Sequence, residues 1–249
     1  MHTVSAIAHR GFSAAAAENT LSAFNKAIDL GPEMMECDVR RTKDSQLAVI
    51  HDPTVDRTTN GKGTVAEMSL AQLKELDAGS WFSPKFAGER IPTLDEVLDL
   101  SKGKCKLIVE IKEPSLEDIV VDMVNDRDMS DEVIIASFYY RIGMRLPELD
   151  ERIAFVPLIY LSHKAGEDEA VRLADEAAVV NGSIFGVNHA AVSPALVKAA
   201  RMANMRLLAW TVDDEANIRR MVEAGVDMIA SNKLDLLLKV LSEMGARGR

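Results

Sequence analysis

Two histidines, each next to a charged residue at the end of an apolar, strand-like run, flank a pair of alternating carboxylates. The set is His9-Arg10-Gly11, Glu36-Cys37-Asp38 and His51-Asp52. A further apolar run closes in Glu110-Ile111-Lys112, adding another acid and another cation. Imidazoles that titrate near neutrality can take a proton and give one, carboxylates can hold a divalent cation, and fixed cations can neutralise phosphate oxygens. These residue types in one place suit metal-assisted attack on a phosphate ester.

Glu36 and Asp38 are two apart, so in a strand they share a face while Cys37 points the other way, toward covering helices. Facing inward, two carboxylates repel unless a cation joins them, and Glu110 at the end of the next parallel strand is placed as a third ligand. Oxygen donors of this kind favour Mg²⁺ or Ca²⁺ over zinc. The competing readings are a polar strand face for Glu36 and Asp38 and a plain salt bridge for Glu110 with Lys112. His9 and His51 read as an acid/base pair, Arg10 as a planar fork for phosphate and Lys112 as a point charge. Trp210 either lines the pocket or packs in the core. His2, His163 and His189 have no such company and read as structural or exposed. Asn19, just past His9, is a helix cap or a pocket contact. Gly61-Lys62-Gly63 lacks Walker spacing and reads as a turn.

What positions these groups is a regular alternation. Strand-like runs are expected near Val4–Ala8, Met34–Val39, Lys106–Ile111, Val133–Ser137, Ala154–Ile159, Ile184–Val187, Arg206–Val212 and Met228–Ser231, with helical patterns between them. Helix starts are marked by Asn19 or Thr20, Thr93, Ser115 and Ser193-Pro194, and stops by Gly31 and Gly225. Eight strand–helix units in 249 residues predict a closed (β/α)8 TIM barrel occupying residues 1–249 as a single domain, with ligands at the carboxyl ends of the strands.

Two additions interrupt the alternation between strand 2 and helix 2. Gln46–Ile50 is strand-like after the turn-prone Thr42-Lys43-Asp44-Ser45, and a tight β-hairpin about that turn would set His51 opposite Asp38. Residues 53–92 then form a long insertion, expected to cap the barrel mouth.

A formal charge of -10 argues against nonspecific nucleic-acid binding, so positive charge for a phosphate must be local. The start lacks a signal-peptide pattern and no run reaches the length of a membrane span, which predicts a cytoplasmic protein without a membrane anchor. Cys37 and Cys105 read as small buried hydrophobes. Nothing in the sequence addresses oligomeric state.

The motifs resemble the glycerophosphodiester phosphodiesterase family. The matching residues are His9-Arg10-Gly11, Glu18-Asn19-Thr20, Glu36 with Asp38-Val39, Thr42-Lys43-Asp44, His51-Asp52, Thr59-Asn60-Gly61, Glu110-Ile111-Lys112 and Trp210-Thr211-Val212. Residues 77–82 and 91–94 are similar to the insertion of its bacterial cytoplasmic members. The resemblance implies a (β/α)8 barrel hydrolysing glycerophosphodiesters to glycerol 3-phosphate and an alcohol, with a place in lipid and glycerol metabolism. It also implies His9 and His51 as acid and base, Glu36, Asp38 and Glu110 as metal ligands, and Arg10 and Lys112 as phosphate contacts. Ala17 departs from the proline usual before Glu-Asn-Thr, and Ser231-Asn232 stands where Thr-Asp or Ser-Asp is usual, leaving the role of that position open. The rival readings are a lysophospholipase D-like or phosphoinositide-cleaving barrel, against which the absence of a visible membrane-docking segment counts, and a noncatalytic phosphate-ligand binding protein.

Overall fold

A computed structural model describes residues 2–180 and 182–248. Eight parallel strands close into a barrel: β1 (Ser5–Ala8), β2 (Met34–Arg41), β4 (Lys106–Ile111), β5 (Val133–Ser137), β6 (Ala154–Ile159), β7 (Ile184–Asn188), β8 (Arg206–Trp210) and β9 (Met228–Ser231). Closure runs through β1 pairing with both β2 and β9. A short ninth strand, β3 (Leu47–Val49), lies antiparallel against β2.

Alternation within each strand sorts side chains into two layers. Ile7, Met34, Ile108, Ile134, Val156 and Leu208 point inward and fill the barrel. Their neighbours Ala8, Met35, Cys37, Leu107 and Val109 point outward into the larger core beneath the helices. The helices are α1 (Leu21–Leu30), α2 (Leu70–Glu75), α3 (Leu94–Ser101), α4 (Glu117–Asn125), α5 (Tyr140–Leu149), α6 (Glu167–Val179), α7 (Pro194–Met202), α8 (Glu215–Ala224) and α9 (Leu234–Glu243). Thr20 caps α1, Thr93 and Glu96 form a reciprocal capping box on α3, and Ser193 caps α7 ahead of Pro194. Ser115 does not cap α4: it takes a positive φ, and its hydroxyl meets Arg141 instead. None of the described helices is long and apolar enough to cross a membrane.

The hairpin forms, one residue out of the expected register. Thr42 N–H donates to the Gln46 carbonyl, Ser45 turns with φ 61°, and the loop therefore holds three residues rather than four. Pairs run Val39–Val49, Arg40–Ala48 and Arg41–Leu47, and Ile50, not His51, bonds to Asp38 through its backbone N–H. The ladder ends there, so His51 is free of strand alternation, and Arg40 Nε fixes it by donating to its carbonyl at 2.7 Å.

Residues 53–92 pack around a satellite cluster of Val55, Val65, Leu73, Ala78 and Ile91 with Ala48 and Ile50 of the hairpin. The segment flanks the barrel.

Candidate active site

Inward positions that lie apolar at depth become polar as β1, β2 and β4 end, and aromatic at the end of β8. Above Ile7 comes His9; above Met34 come Glu36 and Asp38; above Ile108 come Glu110 and Lys112; above Leu208 comes Trp210. Asp38 and Glu110 are register partners on adjacent strands. The result is a cavity of about 190 Å³ lined by His9, Arg10, Glu36, His51, Glu110 and Lys112 on one side. Its other side is apolar, with Val156, Leu158, Leu208, Phe138 and Trp210. No residue of 53–92 is in the lining, so the expected cap touches the site only through its neighbours.

Backbone shape brings Arg10 into place. Arg10 and Gly11 both take positive φ, 57° and 75°, a conformation that favours glycine. A Cβ on Gly11 would stand 2.6 Å from the Ala23 carbonyl carbon, so α1 packs directly on the motif. This turn aims the Arg10 N–H at Glu36 Oε2, at 2.8 Å, and its guanidinium at Glu18 Oε1 at 2.8 Å and Asp38 Oδ2 at 3.2 Å.

Three acids meet two cations. Oxygens of Glu36, Asp38 and Glu110 lie within 4.8 Å of one another, and all three residues are buried. Lys112 Nζ reaches Glu110 Oε1 at 2.6 Å and Asp38 Oδ1 at 3.3 Å; Asn19 Nδ2 donates to Asp38 Oδ2 at 2.8 Å. Burial works against the Asp38 carboxylate, but Arg10 and Lys112 outweigh it and hold its pKa down to about 2. Glu36 is pushed well up, first by burial and then by the charges of Asp38 and Glu110. Glu110 is raised by burial and Asp38, against the pull of Lys112.

Glu36 Oε1 is buried without any hydrogen-bond donor, where burial and the charges of Asp38 and Glu110 together disfavour the Glu36 carboxylate. A hard divalent cation would satisfy both deficits at once, so the residues present fit a metal ion. The salt-bridge alternative for Glu110 and Lys112 is also realised, and the two coexist, since Lys112 uses only Oε1.

Each histidine has its Nδ1 tied outside the cavity. His51 Nδ1 meets Asp52 Oδ1 at 2.7 Å, and Asp52 is held ionised by Arg57, whose Nε donates to Oδ2 at 2.7 Å. His9 Nδ1 meets Asn232 Oδ1 at 2.8 Å, while its Nε2 lies 3.9 Å from Glu36 Oε2. Burial, helped by Arg10, lowers His9 to about 4; burial also lowers His51, although Asp38 pulls the other way. Both rings are therefore biased toward the neutral form in which a nitrogen carries a lone pair.

Several participants were invisible in the sequence. Arg57 lies in the irregular insertion and Asp213 follows a strand like any loop acid, whereas Asn19, open between helix cap and pocket contact, does reach Asp38. Phe138 stacks edge-on against Trp210, ring centroids 5.8 Å apart. It is 44% exposed, and Tyr139 and Tyr160 are 43% and 67% exposed, so the rim carries exposed aromatics where the sequence showed no docking segment. His2, His163 and His189 stay outside the cavity lining.

An eight-stranded parallel barrel with acids, bases and cations at the carboxyl ends of its strands defines a (β/α)8 barrel enzyme. Residues 9–236 match the glycerophosphoryl diester phosphodiesterase family, and the chain belongs to that family. It is 37% identical over 245 residues to the glycerophosphodiester phosphodiesterase of Caldanaerobacter subterraneus subsp. tengcongensis, covering 96% of this chain and 98% of that one. The crystal structure of a glycerophosphodiester phosphodiesterase from Agrobacterium tumefaciens superposes with a TM-score of 0.82 at 30% identity, over 95% of this chain and 100% of that chain. A phosphodiesterase from Oleispira antarctica, solved in complex with the product sn-glycerol-3-phosphate, matches with a TM-score of 0.83 at 25% identity over 96% and 97% of the two chains.

Proposed function

We propose that the protein hydrolyses small-molecule glycerophosphodiesters to glycerol 3-phosphate and an alcohol, with His9 and His51 as the acid/base pair. The observation that carries this reading is that both histidines line the same cavity as Glu36, Glu110, Arg10 and Lys112. In the reaction, a neighbouring substrate hydroxyl, whose cyclic phosphate product water then opens to glycerol 3-phosphate, or water directly, supplies the oxygen that forms the new bond to phosphorus. One histidine takes that oxygen's proton as the other supplies a proton to the departing alkoxide, and the phosphorus–oxygen bond to the alcohol breaks. Arg10 and Lys112 face the phosphate oxygens, and Trp210 forms the wall against which the organic part of the substrate rests.

Glu36, Asp38 and Glu110 would hold a divalent cation, Mg²⁺ or Ca²⁺, on the grounds of their all-oxygen donor set. Such an ion supplies Lewis-acid neutralisation of the phosphate. Residues 1–249 act as one catalytic unit in this reading, with 53–92 as a rim element.

A second reading, cleavage of a lysolipid diester, draws support from the apolar wall and the exposed Phe138, Tyr139 and Tyr160. Hydrolysis of glycerophosphocholine, glycerophosphoethanolamine and a lysolipid, each with and without chelator, tests the whole proposal. Release of glycerol 3-phosphate from the soluble diesters, abolished by chelator, is the expected result. Faster cleavage of the lysolipid would favour the second reading, and turnover of none would leave a binding protein.

A further inference from the structure

The position left open by the sequence, Asn232, carries more than a substitution for an acid. Behind it stands Asp213, whose carboxylate takes three donors: the Ser231 hydroxyl at 3.0 Å and the Asn232 backbone N–H at 2.8 Å on Oδ1, and the Asn232 side-chain Nδ2 at 2.7 Å on Oδ2. A carboxylate oxygen accepts and an amide NH₂ donates, so this contact decides which way round the Asn232 amide lies. Flipped, its carbonyl oxygen would face Asp213 Oδ2, acceptor against acceptor. Held as it is, Asn232 Oδ1 points at His9 Nδ1 from 2.8 Å, with the Ser13 hydroxyl also 2.8 Å away. An amide oxygen can only accept, so the ring nitrogen facing it must be the one that carries hydrogen.

We propose that Asp213 and Asn232 are a positioning pair that locks His9 in the tautomer protonated at Nδ1, leaving the Nε2 lone pair directed into the cavity. The inference deepens the acid/base role proposed for His9 and rests on it for its catalytic meaning, but the tautomer itself is independent of that role. Two further contacts fix the main chain of His9. His9 N–H donates to the Ser231 carbonyl at 3.1 Å, and the Ser13 hydroxyl lies 2.8 Å from the His9 carbonyl oxygen, so both flanks of the residue are pinned to the Ser231-Asn232 turn. The arrangement differs from that of His51, whose Nδ1 partner is itself a carboxylate. A neutral amide can fix a tautomer only if something else fixes the amide, and that is the work Asp213 does.

The test is ¹⁵N NMR of histidine-labelled protein, with the His9 signals assigned by their loss in His9→Gln. At neutral pH the wild type is expected to show His9 with Nδ1 protonated and Nε2 bare. Asn232→Asp combined with Asp213→Asn, which exchanges donor and acceptor across the 2.7 Å contact and keeps an acceptor on Nδ1, should retain that pattern; Asn232→Leu and Asp213→Ala should mix the tautomers. In a glycerophosphodiester assay, the latter two should lower kcat by roughly 10- to 100-fold, part of the ~10²–10⁴ that general acid–base catalysis supplies, with KM moving by less than about threefold. A wild-type His9 protonated at Nε2 overturns the proposal, and that spectrum needs neither a variant nor turnover. So does an unchanged tautomer in a folded Asp213→Ala protein. The locked tautomer found in an enzyme that hydrolyses no diester would instead keep the positioning pair and remove the proposed reaction.

Discussion

Arg57 grips Glu18 with both of its terminal nitrogens, Nη1 to Oε2 and Nη2 to Oε1 at 2.8 Å each. Glu18 passes the link to Arg10, and Arg57 Nε holds Asp52, which holds His51. One side chain from the insertion thus braces both Arg10 and His51 across the cavity mouth. Burial would favour a neutral Glu18, but Arg57 and Arg10 keep it ionised.

Arg57→Ala should therefore slacken two cavity groups while costing little stability. Arg57 is 44% exposed, and exposed ion pairs contribute on the order of 1 kcal/mol or less. Steady-state kinetics should show kcat/KM falling about tenfold, equivalent to ~1.4 kcal/mol of transition-state binding. The melting temperature should move by only a few degrees, as about 1 kcal/mol implies. An Arg57→Ala enzyme with wild-type kcat/KM would show that the brace is ornamental to catalysis.

The same brace shows where sequence reasoning stops. Strand positions have a period of two, so Glu36, Asp38 and Glu110 could be placed on the inward face from spacing alone, and the structure brings their oxygens together. The barrel itself was legible for the same reason, because eight alternating units leave few other ways to bury parallel strands. Arg57 and Asp213 lie in loops, where no period ties residue number to direction, and only the fold brings Asp213 beside the turn that follows β9. The hairpin register failed on a single left-handed residue, Ser45, that nothing in its side chain demands. His51 nevertheless reaches the cavity, because it lies beyond the end of the ladder.

Removing one acid should separate metal binding from folding. Glu36→Gln keeps the shape while relieving repulsion from Asp38 and Glu110, which together with burial push Glu36 up. The chelated variant should melt no lower than the chelated wild type. Adding divalent metal at a hundredfold over its Kd should stabilise the wild type by about 2.7 kcal/mol, and the variant by much less. Activity of the variant should fall by two or more orders of magnitude, as expected when charge neutralisation at a phosphate is lost. Equal metal-induced shifts in both melting curves would place the ion elsewhere.

Acid titration of the chelated protein should expose His9. Its pKa is about 4 in the fold against 6.5 in the free side chain. Between those values the unfolded chain binds the proton and the folded one does not, so stability falls as pH drops from 6.5 toward 4 and levels off below. The slope for one proton is about 1.4 kcal/mol per pH unit. Glu36 and Glu110 act in the opposite sense: raised in the fold, they take protons before the unfolded chain does, and acidification toward 4.5 relieves them. Urea unfolding across this range, with His9→Gln subtracted from wild type, isolates the histidine limb. A flat difference curve would mean that the ring is solvated enough to titrate normally.

Gly11 and Gly31 make a matched test of what the His-Arg-Gly turn requires. Both have positive φ, 75° and 64°, so alanine is strained at either. At Gly31, the α1 stop, an added Cβ meets nothing within 4 Å, and Gly31→Ala should cost about 1 kcal/mol, the backbone penalty alone. At Gly11 the same methyl would lie 2.6 Å from the Ala23 carbonyl carbon and 2.8 Å from the Phe24 nitrogen, both backbone atoms of a packed helix. Gly11→Ala must push α1 off the barrel or pull the turn inward, at roughly 3 kcal/mol or more. Either movement also displaces the Arg10 N–H from Glu36, 2.8 Å away, so activity should drop by more than the folded fraction accounts for. Urea midpoints for the two variants, measured alongside kcat per folded molecule, check both halves; equal midpoints would show that the close approach of α1 is not what demands glycine.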